Sequence, residues 1–488
     1  MKQIYAWLLL PYLLASQTST PAPDTSNLTS SLSQIINREL AAKEIPAFSI
    51  ALVDDQQIVW AEGFGTADPD AGTPATADTV YRVGSVSKLF TDLAIMQLVE
   101  RGKLDLDIDV REYLPELDLD NPYAADVTLR QLMAHRSGLI REPPVGNYFD
   151  PSEPTLAATI DSLNGARLVY EPGAHVKYSN AGIAIVGYVL ERMENTPFVD
   201  YVRANVIDPL GMKHSDFELS ARTRDNVAKG LMWTYDGRTF EAPTFQLGIA
   251  PAGSLYSSVN DLARFMSALF RGGDGVIRAE TLDSMYAPQF TEHDPVATYG
   301  LGFSTSELDG HRLVGHGGAI YGFSTDLIFL PELKLGVVAV AAKDFTNAVV
   351  GRITRHALRS MLAVRDGAPL PELETTEPLP PGKARAVADD YRALARGDRL
   401  FVERGARVME VRVGVPAEIE DELVFDSALG YGPRIGLDEL LPAVAELPPD
   451  VPARWRGLIG EYGWDHNVLY ILEKDETLHA LIEWFESF

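Results

Sequence analysis

Gly84-Ser85-Val86-Ser87-Lys88 and the apolar run behind it, Leu89-Phe90-Thr91-Asp92-Leu93-Ala94-Ile95-Met96-Gln97-Leu98-Val99, organise the chain. The run is apolar on most sides, as in a helix buried all round, and Gly102 is placed to cap its C-terminus. Ser85 and Lys88 stand three apart, so on a helix they share a face and the amine can approach the hydroxyl. A serine hydroxyl needs a neighbour to take its proton before it is a useful nucleophile. A lysine amine, ordinarily titrating near ~10.4, serves as that base only where burial or a second cation lowers its pKa. At a helix N-terminus the serine also lies beside free backbone N–H groups and the positive dipole end, where an oxyanion is stabilised. Taken alone, the same spacing also describes an N-cap serine with a surface lysine, so the rest of the chain has to decide.

The chain has 488 residues, room for two or three domains, and a hydrophobic content of 46%, ordinary for a globular protein. Its net charge of −27 disfavours nucleic acid and anionic membrane surfaces as partners; solubility alone accounts for the acidity. There is no cysteine, which excludes disulfides, thiolate nucleophiles and zinc–cysteine sites. The nine histidines show no H-E-x-x-H or similar spacing, so neither metal nor cofactor is predicted. Lys2, an apolar run from Ile4 to Ala15 and then Ser16-Gln17-Thr18-Ser19 read as a secretory signal over residues 1–20, with an uncleaved anchor as the other reading. The run is short for a membrane span, and no other segment is long enough. Export to a periplasm or beyond is expected.

Helical spacing of Leu28, Leu32, Ile35, Ile36 and Leu40 predicts a helix over about 27–42, stopped by Pro46. Phe48 to Val53 and Ile58 to Phe64 predict a hairpin. Apolar helices are expected from Ala181 to Met193 and from Ser257 to Phe270. Strands are expected at Tyr299–Phe303, Arg312–Gly315, Ser324–Leu330 and Leu335–Ala342, and a closing helix from Asn347 to Val364. Asp236-Gly237 and Asp309-Gly310 read as hairpin turns, and the Pro-rich stretch from Arg141 to Pro154 as a long exposed loop. The whole is an α+β pattern: an antiparallel sheet flanked by helices, with a helical subdomain. The expected divisions are a signal at 1–20, a first domain at 25–365, a Pro/Glu-rich linker at 366–384 and a small β-rich region at 385–488, ending on the apolar tail Trp484-Phe485-Glu486-Ser487-Phe488.

Three stretches now stand together in order: Ser85-Val86-Ser87-Lys88, Tyr178-Ser179-Asn180 and His316-Gly317-Gly318. With the flanks Leu132-Met133-Ala134-His135-Arg136-Ser137-Gly138-Leu139 and Pro209-Leu210-Gly211-Met212, the chain from about Leu28 to Val364 resembles the serine β-lactamase and penicillin-binding-protein superfamily. The likeness is to its class C-type branch of esterases, D-aminopeptidases and D,D-peptidases. That family carries S-x-x-K, Y-x-N and a third motif, K-T-G or H-x-G, on a sheet strand.

The resemblance implies a β-lactamase/D,D-peptidase-like fold and an acyl-enzyme on Ser85. It also implies that Lys88 and Tyr178 manage the protons, that Asn180 orients Lys88 or a substrate amide, and that the N–H groups of Ser85 and Ala319, beside Gly318, form the oxyanion hole. Singly, Tyr178 also reads as a core aromatic, Asn180 as a helix cap and His316 as a turn residue. His135 and His175 are read as structural. A lysine in the third motif would be a permanent cation for a β-lactam or peptide carboxylate. His316, with an ordinary pKa near ~6.5, would instead carry a pH-dependent charge and, with Lys88, lower that of Tyr178. The expected substrate is a small ester, amide or peptide. The alternative function is a non-catalytic cell-wall or peptide-binding module of the same fold.

Overall fold

The computed structural model describes residues 26–233, 239–292 and 298–373 and, further on, short segments between 375 and 482. The expected signal at 1–20, the turn at Asp236-Gly237, residues 379–384 of the expected linker and the Trp484-to-Phe488 tail lie outside the described residues.

Helix α1 (Ser26–Lys43) leads into strands β1 (Ala47–Asp54), β2 (Gln57–Asp68) and the two-residue β3 (Thr73–Pro74). Helices α2 (Ser87–Glu100), α3 (Asn180–Glu194) and α4 (Val259–Phe270) follow, with shorter helical turns between them. The chain then returns as β4 (Ser304–Leu308), β5 (His311–Ile320), β6 (Phe323–Leu330), β7 (Leu335–Ala341) and α5 (Asn347–Asp366). These strands form one seven-stranded sheet in the order β3-β2-β1-β7-β6-β5-β4, antiparallel throughout.

The two-residue period of the strands explains why both faces are covered. Phe48, Ile50 and Leu52 of β1 join Leu335, Val337 and Ala339 of β7 in a core with Leu28, Leu32 and Ile36 of α1 and Ile353 and Ala357 of α5. The alternate residues Ala51, Val53, Val338 and Val340 face a larger core with Leu89, Phe90 and Leu93 of α2 and Leu262, Phe265 and Met266 of α4. Each Val, Leu, Ile, Phe or Met among them contributes ~1.5–3 kcal/mol on full burial. A sheet whose central strands are buried on both faces needs helices on both sides.

Two expectations are corrected. The strand expected at Tyr299–Phe303 falls at Ser304–Leu308, and Tyr299 keeps only one bridge, to Ser304. Gly302 lies at φ +81°, a left-handed kink that interrupts extended chain before β4 can begin. The strand expected at Arg312–Gly315 runs on to Ile320, which puts His316 in a strand rather than a turn. β4 pairs with β5 only as far as Gly315, so residues 316–320 extend past it. Asp309-Gly310 is the hairpin turn joining the two, both residues at positive φ.

Beyond α5 the described segments are β-rich. Thr375–Pro378 pairs with Arg407–Val415 in a six-stranded sheet, and Gly460–Trp464, Asn467–Lys474 and Thr477–Ile482 form a separate three-stranded one. Among the described residues no helix is long and apolar enough to cross a membrane.

Candidate active site

Ser85 lies in a single 3-10 turn, Gly84–Val86, that opens directly into α2. Two contacts hold the turn. The Ser87 hydroxyl donates to the Gly84 carbonyl at 2.6 Å and accepts from the Leu255 N–H at 2.9 Å. On the other side β5 packs against the turn with almost no room. A Cβ on Gly318 would lie 2.0 Å from the Val83 carbonyl oxygen, and one on Gly84, already at φ +54°, would lie 2.8 Å from the Ala319 nitrogen and oxygen. Glycine at both positions lets strand and turn approach, which sets Ala319 beside Ser85.

Lys88 is fully buried. Its Nζ donates to Ser85 Oγ at 3.0 Å and to the Ala252 carbonyl at 2.6 Å. Burial is the main cause that pulls its pKa down to about 7; Arg141 adds to the fall, while Glu142 and Asp92 oppose it. The amine is therefore substantially neutral near pH 7, the state that accepts a proton.

Tyr178 comes from the segment before α3. Its ring centroid is 5.0 Å from Lys88 Nζ and 5.0 Å from the Arg141 guanidinium carbon, and it lines the same cavity as Ser85. Behind it stacks the His135 ring, 4.1 Å between centroids. His135 Nδ1 accepts the Ser179 N–H at 3.3 Å, so its proton sits on Nε2, and burial keeps it neutral. The cap of α3 is Ser179, whose hydroxyl accepts the Gly182 N–H at 2.9 Å. Asn180 is thereby left to the site: its Nδ2 donates to Glu142 Oε1 at 2.5 Å, and its buried Oδ1 has no partner among the described residues.

The charge expected on His316 is corrected. Its ring is buried, with Nδ1 donating to the Gly317 carbonyl at 2.5 Å and Nε2 without a partner among the described residues. Burial, then Lys88, push its pKa down to about 4, so the imidazole is neutral through the physiological range. Tyr178 is corrected likewise. Burial outweighs the nearby cations and pushes its phenol well above the ordinary value, leaving it a proton donor at neutral pH rather than a phenolate.

Ser85, Tyr178, His316, Gly318 and Ala319 line one cavity of about 340 Å³, a size suited to a small ligand. Tyr148, from the loop read as exposed, is buried and forms part of its wall, as does Arg141. Two residues beside the site, Arg141 and Glu142, escape the sequence reading, and His135, read as structural, lies against the Tyr178 ring. The 141–142 segment is fixed by the Arg141 carbonyl, which accepts the N–H groups of Asn180 and Ala181 at 2.8 and 3.1 Å. Glu142, 15% exposed at its side chain, pairs with Arg141 at 3.4 Å. Burial pushes its carboxyl up to about 7 against the opposing pull of Arg141, Asn180 and Lys88. No group of three or more potential metal ligands converges among the described residues.

Lys88 and Glu142 thus titrate in the same range and act as a pair. The Glu142 carboxylate favours the Lys88 ammonium, so Glu142→Gln should lower the Lys88 pKa. The acidic limb of a kcat/KM profile against pH, expected near pH 7, should move to lower pH by roughly 0.5–1 unit. A limb that stays put or moves up would show that Glu142 does not act on the base.

The family model Beta-lactamase matches residues 32–360. Beta-lactamase-like protein 2 of Dictyostelium discoideum is 29% identical over 316 residues, 62% of this chain but only 57% of that protein. The octameric penicillin-binding protein homologue from Pyrococcus abyssi superposes with a TM-score of 0.62 at 23% identity, covering 93% of this chain and 98% of the other. D-amino acid amidase from Ochrobactrum anthropi SV3 superposes with a TM-score of 0.58 at 24% identity, covering 70% and 99%. At these identities the two structures speak for the fold.

Proposed function

This chain belongs to the beta-lactamase family, and from that premise we propose that it is an exported serine hydrolase working through an acyl-enzyme on Ser85. The substrate would be an ester or an amide of D-amino-acid or peptide type. The observation that carries the reading is the 3.0 Å contact from Lys88 Nζ to Ser85 Oγ, made by an amine whose pKa is pulled down to about 7. Export rests on residues 1–20 alone.

In the proposed cycle the neutral Lys88 amine takes the Ser85 proton as Oγ attacks the substrate carbonyl. Negative charge on the carbonyl oxygen is met by the N–H groups of Ser85 and Ala319. As the tetrahedral species collapses, the Tyr178 phenol gives its proton to the leaving oxygen or nitrogen and regains one from the Lys88 ammonium. Water then enters, surrenders a proton to the same pair and releases the acid, restoring Ser85. Asn180, its Nδ2 held by Glu142, presents its oxygen to a donor on the substrate. The hydrolase names among similar folds, such as the D-amino acid amidase, suit this assignment.

With His316 neutral, the third motif, His316-Gly317-Gly318, offers no cation to the carboxylate of a fused-ring lactam. kcat/KM for a p-nitrophenyl ester or a D-alanine amide should therefore exceed that for a chromogenic cephalosporin, on one preparation, by about two orders of magnitude or more, as expected for a lost charge-assisted contact plus misplacement. A cephalosporin turned over fastest would refute the argument from His316.

A further inference from the structure

The second oxyanion donor of the proposed cycle, the Ala319 N–H, belongs to the same peptide unit as the Gly318 carbonyl. In a trans peptide the two groups point in opposite directions. The Ala319 nitrogen faces the serine turn, since a Cβ on Gly84 would lie 2.8 Å from it. The Gly318 carbonyl therefore points the other way, and there it accepts a hydrogen bond from Asn347 Nδ2 at 2.7 Å. Asn347 is the first residue of α5 and lines the cavity. β4 pairs with β5 only as far as Gly315, so it does not steady this peptide.

The segment that carries Asn347 is itself held in place. Between β7 and α5 the Lys343 carbonyl accepts the hydroxyls of Ser324 at 3.1 Å and Thr346 at 2.8 Å, and the Thr346 N–H donates to Ser324 Oγ at 3.1 Å. Ser324 is also the β6 residue in register with Ala319. Phe345, inside this turn, stands at φ +56°, the left-handed region that a residue with a Cβ disfavours. A strained turn, pinned to the strand beside Ala319, thus delivers the Asn347 amide to the far side of the same peptide.

We propose that Asn347 is a positioning residue of the oxyanion hole: its amide orients and polarises the Gly318–Ala319 peptide, so that the Ala319 N–H is aimed at the carbonyl oxygen of the group attacked by Ser85. This role rests on the acyl-enzyme reading, in which the Ala319 N–H is an oxyanion donor. A peptide carbonyl that accepts a hydrogen bond makes its own N–H the stronger donor. A donor fixed before the reaction also needs no reorganisation when the oxyanion forms. Asn347 neither gives nor takes a proton in this scheme.

Asn347→Leu, made in the full chain, nearly keeps the size of the side chain and removes the donor. With p-nitrophenyl acetate, whose acetyl group gives Asn347 nothing to bond, kcat should fall about ten- to thirty-fold, between the net worth of one hydrogen bond and the loss of a whole oxyanion donor. Acylation and deacylation both pass through an oxyanion, so KM should stay within about two-fold. The same factor should appear with p-nitrophenyl butyrate. Difference infrared spectra of the acetyl-enzyme, isotope-labelled at the carbonyl carbon, should place the ester carbonyl band of the variant at higher wavenumber than that of wild type. A merely structural role would not move that band. An unchanged kcat, a loss confined to KM, a loss that differs between acetate and butyrate, or an unmoved carbonyl band would overturn the proposal. Failure of the acyl-enzyme reading would appear separately, as absence of label on Ser85 in wild type. Asn347→Ala, checked by thermal melting, replaces the leucine variant if that one does not fold.

Discussion

Replacing Lys88 with methionine is expected to lower kcat/KM for an activated ester by about 10³–10⁴-fold at pH 8 while leaving the protein folded. The side chain is fully buried in α2 with its amine on Ser85, and methionine fills similar space without a proton acceptor. Stability should separate cleanly from activity. The Lys88 pKa is lower folded than unfolded, so between about pH 7 and pH 10 the unfolded chain binds more protons and stability rises with pH. Below about pH 7 the cost of the buried amine is fully present, and the methionine variant escapes it. Its Tm should therefore match or exceed wild type there, the lost hydrogen bonds to Ser85 Oγ and the Ala252 carbonyl being the opposing effects. A variant that melts early and loses activity in proportion would make Lys88 a packing residue; one that keeps activity would remove it from the chemistry.

Gly318→Ala should be nearly as damaging by a different route. Its Cβ would lie 2.0 Å from the Val83 carbonyl oxygen, a backbone atom that cannot rotate away. Relief requires β5 to withdraw from the Gly84–Val86 turn, which parts the N–H groups of Ala319 and Ser85. Loss of one oxyanion donor typically costs about 10²–10³ in kcat, and overpacking adds ~1–3 kcal/mol of destabilisation. Gly317→Ala is the control for stability, since its Cβ would meet nothing closer than Thr325 O at 3.7 Å; its Tm should stay near wild type. Steady-state kinetics with thermal melts on both variants decides the point. Equal Tm values for the two would contradict the packing argument.

What can be read from the chain follows the range of the interactions involved. Ser85 and Lys88 are legible because one helical turn joins them, and the sheet because Phe48, Ile50 and Leu52 alternate with residues of the opposite face. Ser179 as the α3 cap shows why Asn180 is available, a division of labour visible only once the hydroxyl is seen to accept the Gly182 N–H. Arg141, Glu142 and His135 carry no period. They reach the site through backbone bonds such as Asn180 N–H to the Arg141 carbonyl, between segments some forty residues apart. Protonation is the least legible property of all. His316, Tyr178 and Glu142 have familiar pKa values in a sequence, and burial moves each of them away from those values. The kink at Gly302 belongs to the same class, since a glycine in a strand-like stretch does not announce the sign of its φ.

The most direct measurement is the intact mass of the protein, followed by peptide mapping, after brief incubation with a p-nitrophenyl ester and separately with a fluorophosphonate. The account predicts one adduct of the acyl or phosphonyl group, mapped to Ser85 and absent from Ser85→Ala, with the acyl adduct decaying as product appears. Equal labelling of both proteins, or an adduct mapped to another residue, would contradict it.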